Sequence, residues 1–203
     1  MRIIISSDIH DNLDALKNFF RYIKEIVPDV FFFCGDFVSP FTVSHIARNL
    51  PKDTRFFAVF GNNEGDKDTI AGRLRENDRV VSLLDILEID KKKVLILHGF
   101  GSIEKTEKVV ISFLKSRDYD IILFGHTHKP KMFKMHKEDG IIEHVEVLDV
   151  LSNRPNITYE VDLEKFVLAI NPGELGGWLT NLSTFVEMLI TPQDIAKVIF
   201  HRL

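Results

Sequence analysis

Imidazoles and carboxylates recur in this chain directly after short apolar runs. Asp8 and His10 follow Ile3-Ile4-Ile5, Asp36 follows Val30-Phe31-Phe32-Phe33, and Asn62 follows the run 56–60. His98 follows Val94-Leu95-Ile96-Leu97, and Gly125-His126-Thr127-His128 follows Ile121-Ile122-Leu123-Phe124. A lone His-x-His pair is a weak signal; its repetition at the ends of several apolar runs is what gives it weight. These seven residues are too many for one tetrahedral ion and suit two ions that share a carboxylate. Asp36 is the natural bridge, because its two oxygens can serve both. Neutral imidazoles combined with carboxylate and amide oxygen favour Mn, Fe, Co, Ni or Zn. Cys34 is the only thiol, so a structural zinc site built on several cysteines is excluded. Two such ions, about 3.5–4 Å apart, would hold a hydroxide between them, lower the pKa of its parent water, and bind phosphoryl oxygens during an in-line displacement.

That chemistry requires distant residues to meet, and the runs themselves supply the means. Strands of a parallel sheet covered on both faces read as unbroken apolar runs, and open α/β sheets bind ligands just beyond the carboxyl ends of such strands. The spacing predicts strands over 2–6, 30–33, 55–60, 93–97 and 120–124. Between them lie helical patterns over 12–26, 39–51, 68–76 and 106–116, the first with Asn12 as N-cap and the second opened by Ser39-Pro40. Segments 84–89 and 93–97 read as a hairpin. Beyond Pro130 the pattern turns to β: strands over 131–136 and 141–150 around Glu138-Asp139-Gly140, a loop over 152–156, a strand over 166–170 ending in Asn171-Pro172-Gly173, and two closing strands over 184–190 and 196–203. The expectation is one domain, 1–203, of two stacked sheets with helices outside, the second sheet coming from the later β-rich part.

Composition narrows the function. The 203 residues suffice for one sizeable core, and 45% apolar with 28% charged residues is ordinary for a water-soluble fold. A net charge of −4 disfavours nucleic acid as a partner, since a general grip on phosphates needs clustered Lys and Arg. No apolar run is long enough to span a bilayer, and Asp8 interrupts the first run too early for a signal peptide. With a single cysteine, the expected location is the cytoplasm.

Taken together, Asp8-x-His10, Gly35-Asp36, Gly61-Asn62, His98-Gly99 and Gly125-His126-Thr127-His128 closely resemble the motif series of the calcineurin-like metallophosphoesterases, in particular the small bacterial and archaeal phosphodiesterase group. The resemblance covers nearly the whole chain. It implies a four-layer αββα sandwich and a small phosphate-ester substrate. It also implies one metal held by Asp8, His10, Asp36 and His128 and a second held by Asp36, Asn62, His98 and His126. Asp36, Asn62, Asn63 and His98 are then the candidate catalytic residues. Many relatives carry a His directly after the metal-binding Asn, where it serves as a general acid or steadies the transition state; this chain has Asn63. Without that ionisable proton donor, substrates with good leaving groups are expected, and phosphodiesters more than monoesters. Segment 131–170 is longer than the small relatives need and is expected to be an insertion or hairpin.

The remaining residues carry less. His45, His136, His144 and His201 read as structural or exposed. Asp11, Asn12, Glu64 and Asp66 read either as supports for ligands or as caps and loop solvation, and Lys129, Lys131 and Lys134 as a charged strand edge. Trp178, in the Gly-rich stretch 173–179, reads as a subunit anchor or as packed on its own core, which leaves a homo-oligomer open. The competing function is a non-catalytic scaffold on the same fold, like the retromer subunit that resembles this family.

Overall fold

Two β-sheets are stacked face to face, and the apolar runs of the sequence lie in their centres. The computed structural model describes residues 1–76 and 80–203. In chain order its elements are β1 (Arg2–Ser6), α1 (Leu13–Ile26), β2 (Val30–Phe33), α2 (Pro40–Asn49), β3 (Arg55–Val59), α3 (Lys67–Arg75), β4 (Val80–Ser82), β5 (Leu84–Ile89) and β6 (Lys92–Leu97). There follow α4 (Ile103–Ser116), β7 (Ile121–Leu123), β8 (Lys131–His136), β9 (Ile142–Glu146), α5 (Leu148–Asn153), β10 (Asn156–Asp162), β11 (Phe166–Asn171), β12 (Thr184–Ile190) and β13 (Ile195–Arg202). The larger sheet has the order β10-β13-β12-β1-β2-β3-β4 and the smaller β5-β6-β7-β11-β8-β9. Strands β1 to β4 run parallel, as do β6, β7 and β11.

Strand periodicity explains the layering. Ile3, Ile5 and Phe32 point into the space between the sheets, where they meet Ile96, Leu123 and Ile170. Their neighbours Ile4, Phe31 and Phe33 point the other way, onto Leu16, Phe19 and Val43 of α1 and α2. On the far side Leu95, Leu97 and Ile122 pack on Val110 and Leu114 of α4. Helices therefore cover both outer faces, and the expected αββα arrangement holds. The Phe-rich run 30–33 is buried on both faces, as core packing requires; each such ring stabilises the fold by about 1.5–3 kcal/mol relative to exposure.

The helix boundaries follow local chemistry. Asn12 caps α1 by accepting from the Ala15 amide, Asp66 caps α3 through Thr69, and Ser102 caps α4 through Lys105. Helix α4 thus starts at Ile103, three residues before its apolar periodicity begins, because its first turn is exposed. Ser39 occupies the N-cap position of α2 but does not cap it: its hydroxyl donates to Asp11 instead.

Three expectations need correction. The later β-rich part does not build the second sheet alone. Strands β10, β12 and β13 extend the larger sheet antiparallel from β1, whereas β5 to β9 and β11 form the smaller one. The strand expected over 141–150 stops at Glu146, since Val147 and Leu151, four residues apart, are both fully buried and the chain turns helical in α5. Strand β10 was unforeseen, although Ile157, Tyr159 and Val161 alternate as a half-buried strand should. Segment 131–170 contributes β8, β9 and β11 to one sheet and β10 to the other.

Candidate metal centre

The carboxyl ends of both sheets meet at one rim. Asp8 and His10 follow β1, Asp36 follows β2, and Asn62 and Asn63 follow β3; His98 follows β6, and His126 and His128 follow β7. Backbone bonds sew the loops together: the Asp8 amide donates to the Gly35 carbonyl at 2.9 Å, and that of Gly125 donates to the His98 carbonyl at 2.9 Å. Across the sheets, the His126 amide donates to Asp8 Oδ2 at 3.0 Å. The glycines of the motifs are there because the loops touch: a Cβ on Gly61 would stand 2.0 Å from Asp36 Oδ1, and one on Gly125 would stand 2.0 Å from Ser7 Oγ. Five of the seven singled-out residues, Asp8, His10, Asp36, His126 and His128, hold positive φ, a conformation costing about 1–3 kcal/mol that the surrounding structure must sustain.

Hydrogen bonds behind three of the four imidazoles, those of His98, His126 and His128, decide which nitrogen faces the rim. A carbonyl can only accept, so His98 Nδ1 carries the hydrogen that it gives to the Cys34 carbonyl at 2.7 Å, and Nε2 turns inward. His126 likewise gives Nε2–H to the Gly101 carbonyl at 2.6 Å and presents Nδ1. His128 gives Nδ1–H to Glu174 Oε2 at 3.1 Å and presents Nε2. The inward nitrogens of His98 and His126 both face Asn62 Oδ1, at 3.0 and 2.8 Å. An amide oxygen only accepts, so two inward nitrogens that meet it need either protons or a shared cation.

The second half of the rim repeats the pattern. Asp8 Oδ1 and His10 Nε2 are buried without a hydrogen-bond partner. His10 Nε2 lies 3.7 Å from Asp8 Oδ1 and 3.4 Å from Asp36 Oδ2, and His128 Nε2 lies 3.6 Å from Asp8 Oδ1. These separations exceed ordinary hydrogen bonds and approach the roughly 3–3.5 Å between two ligands of one transition-metal ion. Asp36 Oδ2 is also 3.4 Å from His98 Nε2, so this carboxylate stands between the two groups. Among the described residues, Asp8 with His10 and His128, and Asp8 with Asp36 and His98, are trios whose donor atoms could hold an ion. Asp8, Asp36 and His98 are almost entirely buried, and His126 lies nearer the surface.

The carboxylates of the site draw positive charge to it, as a proton on an imidazole or as a bound cation. Burial would push the Asp36 carboxyl up, but His98 and two bonds from Asn63 outweigh it and hold Asp36 well below the usual carboxylate range. Burial likewise opposes charge on His98, yet Asp36 and Asp8 overcome it and raise its pKa to about 9. His128 is raised against its own burial by Glu174, and Glu174 is lowered against its own burial by His128 and the bonds around it.

Asn63 does not point into open space. Its amide N–H donates to Asp36 Oδ1 at 2.8 Å and its Nδ2 to Asp36 Oδ2 at 2.7 Å. The match of the calcineurin-like phosphoesterase superfamily domain spans residues 1–192, nearly the whole of this architecture. The chain belongs to that superfamily. It is 29% identical, over 91% of its own length and 90% of the relative's, to the phosphodiesterase MJ0936 of Methanocaldococcus jannaschii. A solved structure described as a novel archaeal phosphodiesterase superposes with a TM-score of 0.69 at 26% identity, covering 98% of this chain and 99% of that one. The zinc complex of Vps29 from Entamoeba histolytica shares the fold, with a TM-score of 0.59 at 16% identity over 100% of this chain and 98% of that one.

Within this calcineurin-like rim, two supporting residues were not foreseen. Glu174 is fully buried and takes, besides His128, the amides of Trp178, Leu179 and Thr180 and the Thr180 hydroxyl. Asn171 is more than a turn residue: its Nδ2 donates to the Gly125 carbonyl and to Thr127 Oγ1, steadying the His-Thr-His segment. The only sequence signal for either was the Asn-Pro-Gly turn beside them. Glu64, read either as a support for ligands or as loop solvation, receives the amides of Asp36, Phe37, Val38 and Gly61 and so shapes the loops after β2 and β3 at once. Asp11 accepts from Ser39 and Thr42, tying α2 to the first loop.

Proposed function

We propose that this superfamily member is a dinuclear metal-dependent phosphodiesterase, with Asp8, His10, Asp36 and His128 holding one divalent ion and Asp36, Asn62, His98 and His126 the other. The observation that carries it is Asp36 Oδ2 standing 3.4 Å from both His10 Nε2 and His98 Nε2, between the group of Asp8, His10 and His128 and the group of Asn62, His98 and His126. When bound, ions of the Mn, Fe, Co, Ni or Zn type would supply Lewis acidity, acidifying a water near neutral pH and offsetting charge on the phosphoryl oxygens in an in-line displacement.

The chain's own residues do the rest. The carbonyls of Cys34 and Gly101 and the carboxylate of Glu174 take the outer N–H of His98, His126 and His128 and so aim their inward nitrogens at the site. Asn63 grips both oxygens of Asp36 and fixes its orientation. An amide cannot give up a proton as an imidazolium can, so position 63 offers no general acid to the leaving group. That favours diesters with stable leaving groups, in keeping with the phosphodiesterase name of the archaeal relative. Among the described residues no helix is long and apolar enough to cross a membrane. We place the enzyme in the cytoplasm, acting as one domain over 1–203; the shared core between the sheets and the buried lone Cys34 support this.

Purified protein loaded with Mn or Ni should hydrolyse bis(4-nitrophenyl) phosphate, and Asp36→Asn should drop the rate below about 1%. Metal-loaded protein inert toward mono- and diesters that captures a defined protein partner would establish the scaffold instead.

A further inference from the structure

The loop that supports His128 also carries an aromatic ring on the rim of the site. Trp178 is 60% exposed and its neighbour Leu179 is 72% exposed, so neither packs on its own core. An exposed indole on a free loop would be mobile; this one is pinned at both ends. Its backbone amide donates to Glu174 Oε2 at 3.0 Å, and its Nε1–H donates to the His10 carbonyl at 3.1 Å. Behind it the loop is bonded to the first ligand loop: the Leu175 amide to the Ser7 carbonyl, the Gly176 amide to the Asp8 carbonyl, and Asn12 Nδ2 to the Gly176 carbonyl. A Cβ at Gly176 would stand 2.9 Å from the Trp178 ring and 2.6 Å from the Ile9 carbonyl, so the ring lies close on the loop that bears His10.

We propose that Trp178 is a stacking platform for a planar aromatic group, aryl or nucleobase, on one ester arm of the phosphodiester substrate. This rests on the phosphodiesterase reading of the site. A diester carries one negative charge at phosphorus and two organic arms, so discrimination between diesters comes from what the arms touch. A rigid indole face beside a candidate ligand takes a planar ring by offset stacking and loses little entropy in doing so. At the other end of the site, Phe100 and Ile103 are half exposed beside Gly101, whose carbonyl holds His126, and they supply an apolar flank for the second arm. Stacking on an aromatic side chain is worth a factor of about ten or more in affinity.

Trp178 is the only tryptophan of the chain, so emission excited at 295 nm reports on this ring alone. Metal-loaded protein titrated with diphenyl phosphate should show saturable quenching, with half-saturation about tenfold below that of diethyl phosphate. Trp178→Ala should raise KM for bis(4-nitrophenyl) phosphate about tenfold with little change in kcat, and Trp178→Phe, which keeps a ring but loses the bond to His10, should restore most of it. Equal half-saturation for the two diesters, or tighter binding of glycerophosphocholine than of diphenyl phosphate, would overturn the proposal. So would a Trp178→Phe enzyme as impaired as Trp178→Ala, which would make the residue a support for His10. A wild-type protein that quenches with diphenyl phosphate but hydrolyses no diester would refute the enzymatic reading while leaving the ring-binding site in place.

Discussion

Replacing Glu174 by Gln changes one atom, and the structure says which nitrogen of His128 would pay. Glu174 Oε1 accepts from Leu179 N, Thr180 N and Thr180 Oγ1, and Oε2 from Trp178 N and His128 Nδ1. With three donors on Oε1, the amide oxygen of the variant must take that place, leaving an NH2 where Oε2 was. The NH2 then faces the Trp178 N–H, a donor against a donor, and His128 can meet it only by accepting at Nδ1. The proton moves to Nε2, the nitrogen now 3.6 Å from Asp8 Oδ1, and the ligand is lost. Losing such a supporting partner typically costs about 10–100-fold in metal affinity or activity, and leaving the Trp178 amide unpaired costs about 1–3 kcal/mol of stability. Competition of the folded variant against a fluorescent chelator should show one of two ions weakened about 10–100-fold, with the other within a few-fold of wild type, and urea melts should show the accompanying destabilisation. If both affinities stay within twofold while the circular dichroism is native, Glu174 does not set the tautomer of His128, and the reasoning from the hydrogen-bond pattern is wrong.

Other outcomes follow from the same geometry. Asn63→His, which puts an ionisable donor beside the site, should raise the monoester-to-diester ratio of kcat/KM about 10²-fold; an unchanged ratio in an active variant would contradict the role given to Asn63. Gly125→Ala should cost about 2–3 kcal/mol in urea unfolding, because its Cβ would meet Ser7 Oγ at 2.0 Å and Asp8 Oδ2 at 2.8 Å. Away from the site, His201 stacks on Phe185 at 4.7 Å between ring centres, and burial lowers its pKa although Glu187 pulls the other way. The unfolded chain therefore binds this proton first: the contribution of His201 is full above about pH 6.5 and declines as pH falls toward the folded-state value. His201→Phe should flatten that decline in melts between pH 7 and 5, and an identical slope in both proteins would exclude the assignment.

Much of this molecule can be read from short windows of its chain. Runs such as 3–5, 30–33 and 121–124 announce strands with both faces covered, and the residues after them are those that converge on the rim. Those features are local: a period of two, a cap such as Asn12, a glycine before a candidate ligand. What the chain order hid was nonlocal. Strands β10, β12 and β13 returned to the first sheet because its β1 edge was open to antiparallel pairing, and no window of sequence records which edge a late strand will find. The aim of each imidazole was hidden for the same reason. His98 is oriented by the carbonyl of Cys34, 64 residues away, and His128 by Glu174, 46 residues away. A backbone carbonyl leaves no signature in residue type, and a buried glutamate after a Gly looks like any other charge until the fold closes over it. Which residues are candidate ligands was thus a property of the string, and how they are aimed a property of the packing.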